Sequence, residues 1–267
     1  MTFVFRVSRR PAFALAVVGV LLPTLALAAG RLKKVPKPGQ FNRDHQTVEM
    51  FGAIDKGDID VKLIPKDSTE CRVLIRNKTD KPLNVKLPDA FAGVPVLAQP
   101  GVGGGVGGGA GGQGFGGGMG GMGGMGGGMG MGGMGGGFFN VPPEKVGKLK
   151  VTTVCLEHGK PDPRPAMKYE IKPIASFTDK PAVHEMLNLL GRGKVDQRAA
   201  QVAAWHLNDE MSFQELAAKV IRRANGVTRP YFTPQELRSG MRVSAASIQL
   251  AEQRKADSGR SDSLSRK

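Results

Sequence analysis

Methionines are the residues of this sequence whose spacing points most directly to chemistry. They are spaced along a glycine-rich tract, residues 101–137. In this tract 26 of 37 residues are glycine, and none is charged or proline. Their M-x-x-M and M-x-M spacings would let several thioethers reach one ion, and thioethers are suitable ligands for Cu(I). One hypothesis is therefore Cu(I) binding or buffering by Met119, Met122, Met125, Met129, Met131 and Met134.

The same tract supports a plainer interpretation, which we favour. Ordering so many glycines costs backbone entropy and buries little side-chain area, so the composition predicts a disordered loop. Methionines in such a loop serve as neutral apolar contacts, and the composition resembles the Gly-Gly-Met tail of bacterial chaperonins. A phosphate-binding loop is excluded, because the tract has no Lys-Ser/Thr ending and no helix signal after it. We expect a spacer without a cofactor, with Cu(I) as the alternative.

Cys71 and Cys155 are the only cysteines, and they flank the glycine tract. An even count in an exported chain predicts one disulfide between them. In the chain-entropy model, a bond closing so long a loop stabilises the fold by about 4.5 kcal/mol. The alternative, Cys155 with His158 as half of a metal site, lacks a second Cys/His pair to complete it.

One group of neighbouring residues could perform acid–base catalysis. Glu157, His158 and Asp162 lie together in the segment EHGKPDPRP and could form a hydrolase site. Basic residues separate the carboxylates, so a solvated loop with salt bridges is the favoured interpretation. The sequence also lacks a G-x-S-x-G motif. We therefore predict no catalytic residues and a protein that is not an enzyme.

The first residues predict export. An arginine-containing start is followed by an apolar run, Ala12–Leu27, and by the small-x-small motif that ends at Ala28. This is the pattern of a signal peptide over residues 1–28, cleaved after Ala28. The run is broken by Gly19 and Pro23 and is short for a membrane-spanning helix. We expect a periplasmic, cell-surface or secreted protein with no membrane span after cleavage.

Net charge narrows the choice of partners. The formal charge is +15, and removal of the three arginines before residue 28 would lower it to +12. The excess is spread along the chain without interleaved aromatic residues, which argues against specific nucleic-acid binding. The partner we expect is a protein or an envelope polymer.

Residues 41–174, after a linker over 29–40, predict a β domain. The segments that alternate with period two are HQTVEMF, DIDVKLIP, TECRVLIRN, LNVKLP, VGKLKVTTVCL and MKYEIKPI. Without the glycine tract the region has the size of a seven-stranded immunoglobulin-like β-sandwich. Two hallmarks are missing, because no tryptophan lies between the cysteines and Thr153 occupies the place of the corner tyrosine.

From residue 178 the apolar period changes to 3.6, which predicts a helical module over 178–253. Four helices are expected, the third with a Ser212–Glu215 capping box and continuing through Val220 and Ile221. The apolar face of the fourth is predicted to contain Leu237, Met241, Ala245, Ile248 and Ala251. The tail, 254–267, is rich in serine and charge and is predicted to be disordered.

Two stretches carry a resemblance. VCLEHGKPDPRPAMKYEI followed by VDQRAAQVAAWHLNDEMSFQELAAK resembles uncharacterised exported bacterial proteins with an Ig-like β-sandwich and a small helical module. VLIRNKTDKPLNVKLP is similar to Ig-like accessory domains of envelope proteins. The resemblance implies an α+β fold and a non-catalytic structural or interaction role in the bacterial envelope.

Overall fold

Each segment that the sequence predicts as a strand contains one, and further strands appear that it did not predict. The structure is a computed structural model that describes residues 39, 41–96, 113–119 and 137–265. Its elements are β1 (Gln46–Glu49), α1 (Met50–Asp55), β2 (Ile59–Pro65), β3 (Glu70–Asn77), β4 (Leu83–Lys86), β5 (Phe91–Pro95), β6 (Phe115–Gly117), β7 (Phe138–Val141), β8 (Val146–Cys155), β9 (Tyr169–Pro173), a 3-10 turn (Ile174–Ser176), α2 (Pro181–Gly191), α3 (Gln197–Asp209), α4 (Phe213–Ala218), β10 (Val220–Arg222), β11 (Thr228–Pro230) and α5 (Pro234–Ser265).

The chain is α+β, but its β domain is a barrel and not the predicted sandwich. Six strands close in the order β2-β3-β8-β6-β5-β9, and β1, β4 and β7 form a separate sheet. The barrel closes where Leu63 of β2 pairs with Tyr169 of β9. The predicted alternation is confirmed in β3 and β8, where Cys71, Val73, Ile75, Leu149 and Val151 are buried. Alternation defines the faces of a strand but not its neighbours, so it could not distinguish the two architectures.

The glycine tract contains an ordered barrel strand. Residues 113–119 are all buried, and β6 within them pairs with β5 through Phe91↔Gly117 and with β8 through Phe115↔Cys155. The ring of Phe115 packs against that of Tyr169, with centroids 4.9 Å apart. The predicted disorder of the tract is therefore wrong for this segment. Residues 101–112 and 120–136 lie outside the described residues.

Glycine is required in β6 and directly after it because helix α2 packs against the backbone of this segment. A Cβ built on Gly118 would lie 2.4 Å from the carbonyl oxygen of Leu187, and one on Gly191 would lie 2.4 Å from the carbonyl carbon of Gly118. On Gly116, a Cβ would lie 2.8 Å from the Leu187 side chain. Two backbones can approach this closely only where neither carries a side chain.

The segment before β2 is part strand and part helix, because only the β1 portion of the predicted strand HQTVEMF is a strand. Helix α1 follows at once, and the Glu49 carboxylate caps it by accepting a hydrogen bond from the Gly52 N–H at 2.8 Å. In the sheet β1-β4-β7, buried Asn84 faces buried Asn140, and the Asn140 amide donates to the Asn84 side-chain oxygen at 2.9 Å. A buried polar pair of this kind is stable because its members bond to each other.

The helices pack on the barrel. Apolar side chains of β5 and the end of β8 form one cluster with α2, α3 and α5, composed of Ala90, Ala92, Val154, Leu156, Ile174, Val183, Met186, Leu187, Leu190, Ala199, Ala200, Ala203, Ala204 and Val243. A Cβ on Gly240 of α5 would lie 2.3 Å from the Val202 side chain of α3, so these two helices are also in close contact. The helical module and the barrel thus share a core.

Helix α5 differs from its prediction in two respects. Its buried positions are Gly240, Val243, Ser244 and Ser247, whereas Met241 and Ile248 are 46% and 41% exposed. Small residues face inward because the alanine-rich α3 lies so close. The tail predicted to be disordered continues this helix to Ser265, and Arg254 Nε forms an ion pair with Glu185 Oε1 of α2 at 3.0 Å.

The third predicted helix is shorter than expected. Its capping box at Ser212 and Glu215 is confirmed, but α4 ends at Ala218. Val220 and Ile221 lie in β10, which pairs with β11 to form a two-stranded hairpin that we call the ribbon, residues 219–231. Among the residues that the structure describes, none of the helices is both long enough and apolar enough to cross a membrane. The predicted signal peptide with its cleavage site at Ala28 lies outside the described residues, as does the linker except Gly39.

Candidate functional site

The structure places one of the six predicted metal ligands, and that one is a core residue. Met119 follows β6, is fully buried in the barrel core, and its N–H donates to the Pro88 carbonyl at 3.3 Å. A buried thioether packed in an apolar core is not open to an ion, so Met119 is removed from the predicted Cu(I) set. Met122, Met125, Met129, Met131 and Met134 lie outside the described residues, and their part in the hypothesis stays a prediction.

The predicted disulfide is not formed. Cys71 and Cys155 are both free and buried. Cys71 pairs with Val151 in the β3–β8 ladder, and Cys155 lies four residues further along β8. At about 3.3 Å per residue the two Cα atoms are roughly 13 Å apart, whereas a disulfide needs them within about 7 Å. Burial raises the pKa of the Cys71 thiol to about 12 and also raises that of Cys155. Both thiols therefore belong to the core, which also argues against a metal half-site at Cys155 and His158.

The three residues of the predicted hydrolase site, Glu157, His158 and Asp162, make separate structural contacts. Glu157 Oε2 accepts a hydrogen bond from the Gly114 N–H at 2.7 Å, and Asp162 Oδ1 accepts one from Gln113 Nε2 at 2.5 Å. Both carboxylates thus hold the entry to β6. The His158 ring instead has its Nε2 2.7 Å from Lys219 Nζ. Within the described part of the chain no hydrogen bond joins His158 to either carboxylate, so the three residues do not form an acid–base unit.

His158 belongs to a different cluster, centred on Trp205 of α3. The indole ring meets the His158 ring edge-on at 4.9 Å and the Tyr231 ring at 5.3 Å, measured between centroids. Lys219 Nζ lies 5.0 Å from the Trp205 centroid and 5.2 Å from that of Tyr231. Arg198 Cζ also lies 4.8 Å from the centroid of the Tyr231 ring. Such cation–π contacts contribute about 0.5–2 kcal/mol each, more where water is excluded.

This cluster anchors the base of the ribbon. Lys219 and Tyr231 are the first and last residues of the ribbon, and the Tyr231 N–H donates to the Lys219 carbonyl at 2.8 Å. Both side chains contact Trp205, which is buried in α3. The ribbon is therefore held on the scaffold at its base, and its strands extend away from that anchor.

The ribbon itself is exposed and basic. All six residues of β10 and β11 are exposed, and the aliphatic side chains Val220, Ile221 and Val227 are 43%, 44% and 44% accessible. Residues 216–235 contain four cationic residues and no acidic one. Among the described residues, no carboxylate pairs with Arg222, Arg223 or Arg229. The ribbon therefore presents uncompensated positive charge next to exposed aliphatic surface.

One sequence signal could have revealed the ribbon. Asn225-Gly226 is a dipeptide typical of tight hairpin turns. In the structure Gly226 has a φ of +79°, and the Asn225 side chain accepts a hydrogen bond from the Val227 N–H at 3.2 Å. The signal was missed because Leu216, Val220 and Ile221 also fit a helical period.

Asp209 is the described carboxyl group whose acidity the fold changes most. It is half-buried at the end of α3, accepts a hydrogen bond from the His158 N–H at 3.2 Å, and burial raises its pKa to about 6. The pKa of His158 is lowered, first by burial and then by Lys219. Asp209 bonds to the backbone of His158 and the His158 ring contacts Lys219, so the titration of both groups bears on the stability of these contacts.

We expect Asp209→Asn to change the pH dependence of stability. The folded-state pKa of Asp209 lies above its unfolded value of about 3.9, so the wild-type protein loses stability as the pH rises from about 4 to about 6. Asparagine keeps the oxygen that accepts the hydrogen bond and removes the pH-dependent loss of stability. We expect that loss to be about 1 kcal/mol, because solvent screens the half-buried carboxyl. Urea unfolding at several pH values tests this: the advantage of the variant should grow up to about pH 6, and a constant difference would contradict it.

Comparison with known proteins gives the site no relatives. No protein-family model matches the sequence, and neither the curated proteins nor the solved structures contain a match.

Proposed function

We propose that this protein is a non-catalytic, exported interaction protein of the bacterial envelope that binds another protein or a polymer through its ribbon. The observation that carries the proposal is the exposed ribbon, with three arginines for which the described part of the chain offers no carboxylate partner. Export rests on the signal-peptide pattern of residues 1–28 and on the sequence resemblance to exported proteins.

The composition of the ribbon favours binding over mere solubility. Arginine is enriched in protein interfaces, because its planar guanidinium can form paired hydrogen bonds with carboxylates. Exposed Val220, Ile221 and Val227 supply apolar area beside these charges. The ribbon therefore offers a partner both charged and apolar contacts.

The scaffold explains how the ribbon can be presented. Trp205 of α3 contacts the base of the ribbon, and α3 is itself packed on the end of β8. An element held at its base on a rigid core loses little entropy on binding. The barrel and the helices thus position the ribbon.

A paired charge-reversal experiment tests the proposal. In one variant, Arg222, Arg223 and Arg229 are changed to glutamate; in the matched control, the exposed arginines Arg72, Arg164 and Arg238 are changed instead. Both variants have the same net charge. The purified, immobilised protein is mixed with envelope extract, and a retained component is quantified by mass spectrometry. We expect the ribbon variant to retain roughly one-tenth as much of this component as the wild-type protein does. The control should retain as much as wild type, because direct charge pairs carry the effect. Equal retention by both variants would contradict the proposal.

A further inference from the structure

The ribbon has one complete free edge, and it belongs to β10. Lys219–Tyr231 and Arg223–Val227 are hydrogen-bonded pairs of the ladder. Because such pairs alternate in antiparallel sheets, the N–H and C=O groups of Val220 and Arg222 point away from β11. No described backbone or side-chain group bonds to them. The opposite edge, on β11, is interrupted by Pro230, which has no N–H to offer.

The side chains along β10 define what could lie beside it. Val220 and Arg222 share one face of the ribbon, and Ile221 and Arg223 share the other, since successive residues of a strand alternate. A strand laid along this edge would therefore meet two aliphatic residues at one end and two arginines at the other. Its best complement is an aliphatic pair followed by an acidic pair, or the reverse order if it runs antiparallel.

Other classes of partner fit this surface less well. Each face of the ribbon carries both an arginine and an aliphatic residue, so neither is an apolar face of the kind that enters a lipid interface. Residues 220–230 include no aromatic side chain on which a nucleotide base could stack. The exposed edge and its mixed side chains favour an extended polypeptide.

We propose that the free edge of β10 binds an extended acidic–aliphatic segment of a partner protein, which adds to the ribbon as a third strand. The backbone of Val220 and Arg222 supplies the ladder hydrogen bonds, and Arg222 and Arg223 pair with the carboxylates of the segment. This inference rests on the proposed function and specifies the chemistry of the partner.

Synthetic peptides test the backbone part of the proposal. Fluorescence anisotropy measures binding of Ser-Glu-Glu-Val-Ile-Ser and of the reversed peptide to the purified full chain. The peptide that binds better is then made in two N-methylated versions. Each version carries methyl groups on every second backbone nitrogen, so that the two versions block opposite edges of the peptide. Strand addition uses only one edge of the peptide, so one version should lose affinity roughly tenfold, as expected for two lost hydrogen bonds, while the other keeps it. Equal affinity of the two versions would overturn strand addition.

Two single variants test which strand is used. Arg222→Glu changes β10 and Arg229→Glu changes β11, and both alter the same exposed ribbon by the same charge. We expect Arg222→Glu to weaken peptide binding roughly tenfold and Arg229→Glu to have a clearly smaller effect, because β11 lies one strand, about 5 Å, further away. Equal effects would overturn the assignment to β10.

Failure of this inference can be separated from failure of the proposed function. If neither peptide binds while the paired charge-reversal experiment still shows ribbon-dependent capture, strand addition is wrong and the interaction role stands. If a peptide binds as described but capture is the same in both charge-reversal variants, the proposed function fails. Ribbon-dependent binding to vesicles of phosphatidylcholine and phosphatidylglycerol, without peptide binding, would overturn the inference in favour of a lipid partner.

Discussion

Replacing Gly118 by alanine is expected to destabilise the protein by about 3 kcal/mol, the upper end of the range for overpacking a core. The added Cβ would lie 2.4 Å from the Leu187 carbonyl oxygen, 2.7 Å from that of Asp89 and 2.8 Å from the Gly191 Cα. All three neighbours are backbone atoms, which cannot rotate aside as a side chain can. Relief of the clash would require α2 to move away from β6 and open the shared core.

Urea unfolding followed by far-ultraviolet circular dichroism measures this effect, and Gly52→Ala is the matched control. Gly52 lies in α1, and a Cβ there would have the Glu49 carboxylate oxygen as its nearest neighbour, at an ordinary 3.5 Å. The same substitution at that position should stabilise the fold by about 0.5–1 kcal/mol, since alanine favours helix. A Gly118→Ala protein as stable as wild type would show that α2 does not rest on β6.

Replacing Gln201 by methionine is expected to cost about 3 kcal/mol. The Gln201 side chain, buried in α3, accepts a hydrogen bond from the Cys155 N–H at 2.8 Å and donates one to the Cys155 carbonyl at 2.9 Å. It therefore takes the place of a neighbouring strand at the end of β8. Methionine has nearly the same shape but leaves two buried backbone groups without partners, and each such group costs about 1–3 kcal/mol.

Gln197→Met is the control for this substitution. Gln197 is also in α3, but it makes a single hydrogen bond to the barrel, from Nε2 to the Thr153 carbonyl at 3.0 Å, and it is only partly buried. Its loss should cost about 1 kcal/mol. Hydrogen exchange gives a second readout, because the Cys155 amide should exchange much faster in Gln201→Met. Equal stability of the two variants would contradict a special role for Gln201.

Local features of the fold could be predicted from the sequence, and long-range ones could not. The faces of β3 and β8 follow from alternation, and the start of α4 follows from its capping box. Closure of the barrel depends on pairings such as Leu63↔Tyr169, between residues far apart in sequence, for which a single sequence holds no signal. The disulfide prediction failed for the same reason, because it needed the register of β3 on β8.

Elements with unusual composition were the hardest to predict. Strand β6 consists of Phe115 and two glycines, and glycine weakens a strand unless something must approach it closely. That reason, the contact with α2, is visible only in three dimensions. Similarly, α5 buries glycine and serine and exposes Met241 and Ile248, because contact with an alanine-rich helix overrides the preference of apolar residues for the core.

The candidate site was predictable only in part. The arginines of the ribbon and its Asn225-Gly226 turn are plain in the sequence, but their exposure depends on α4 ending at Ala218. The anchor is even less predictable, because it joins His158 of the loop after β8 to Trp205 of α3 and to Tyr231 at the end of the ribbon. Conversely, Glu157 and Asp162, which looked like an acid–base pair, hold the entry to β6.

We propose the ribbon as the binding element of this protein. Its most direct test is the capture of an envelope component by the wild-type chain, by the variant with Arg222, Arg223 and Arg229 changed to glutamate, and by the control with the same charge change elsewhere. We expect wild type and control to retain the component and the ribbon variant to retain only about one-tenth as much. Equal recovery in all three would show that binding lies elsewhere on the molecule.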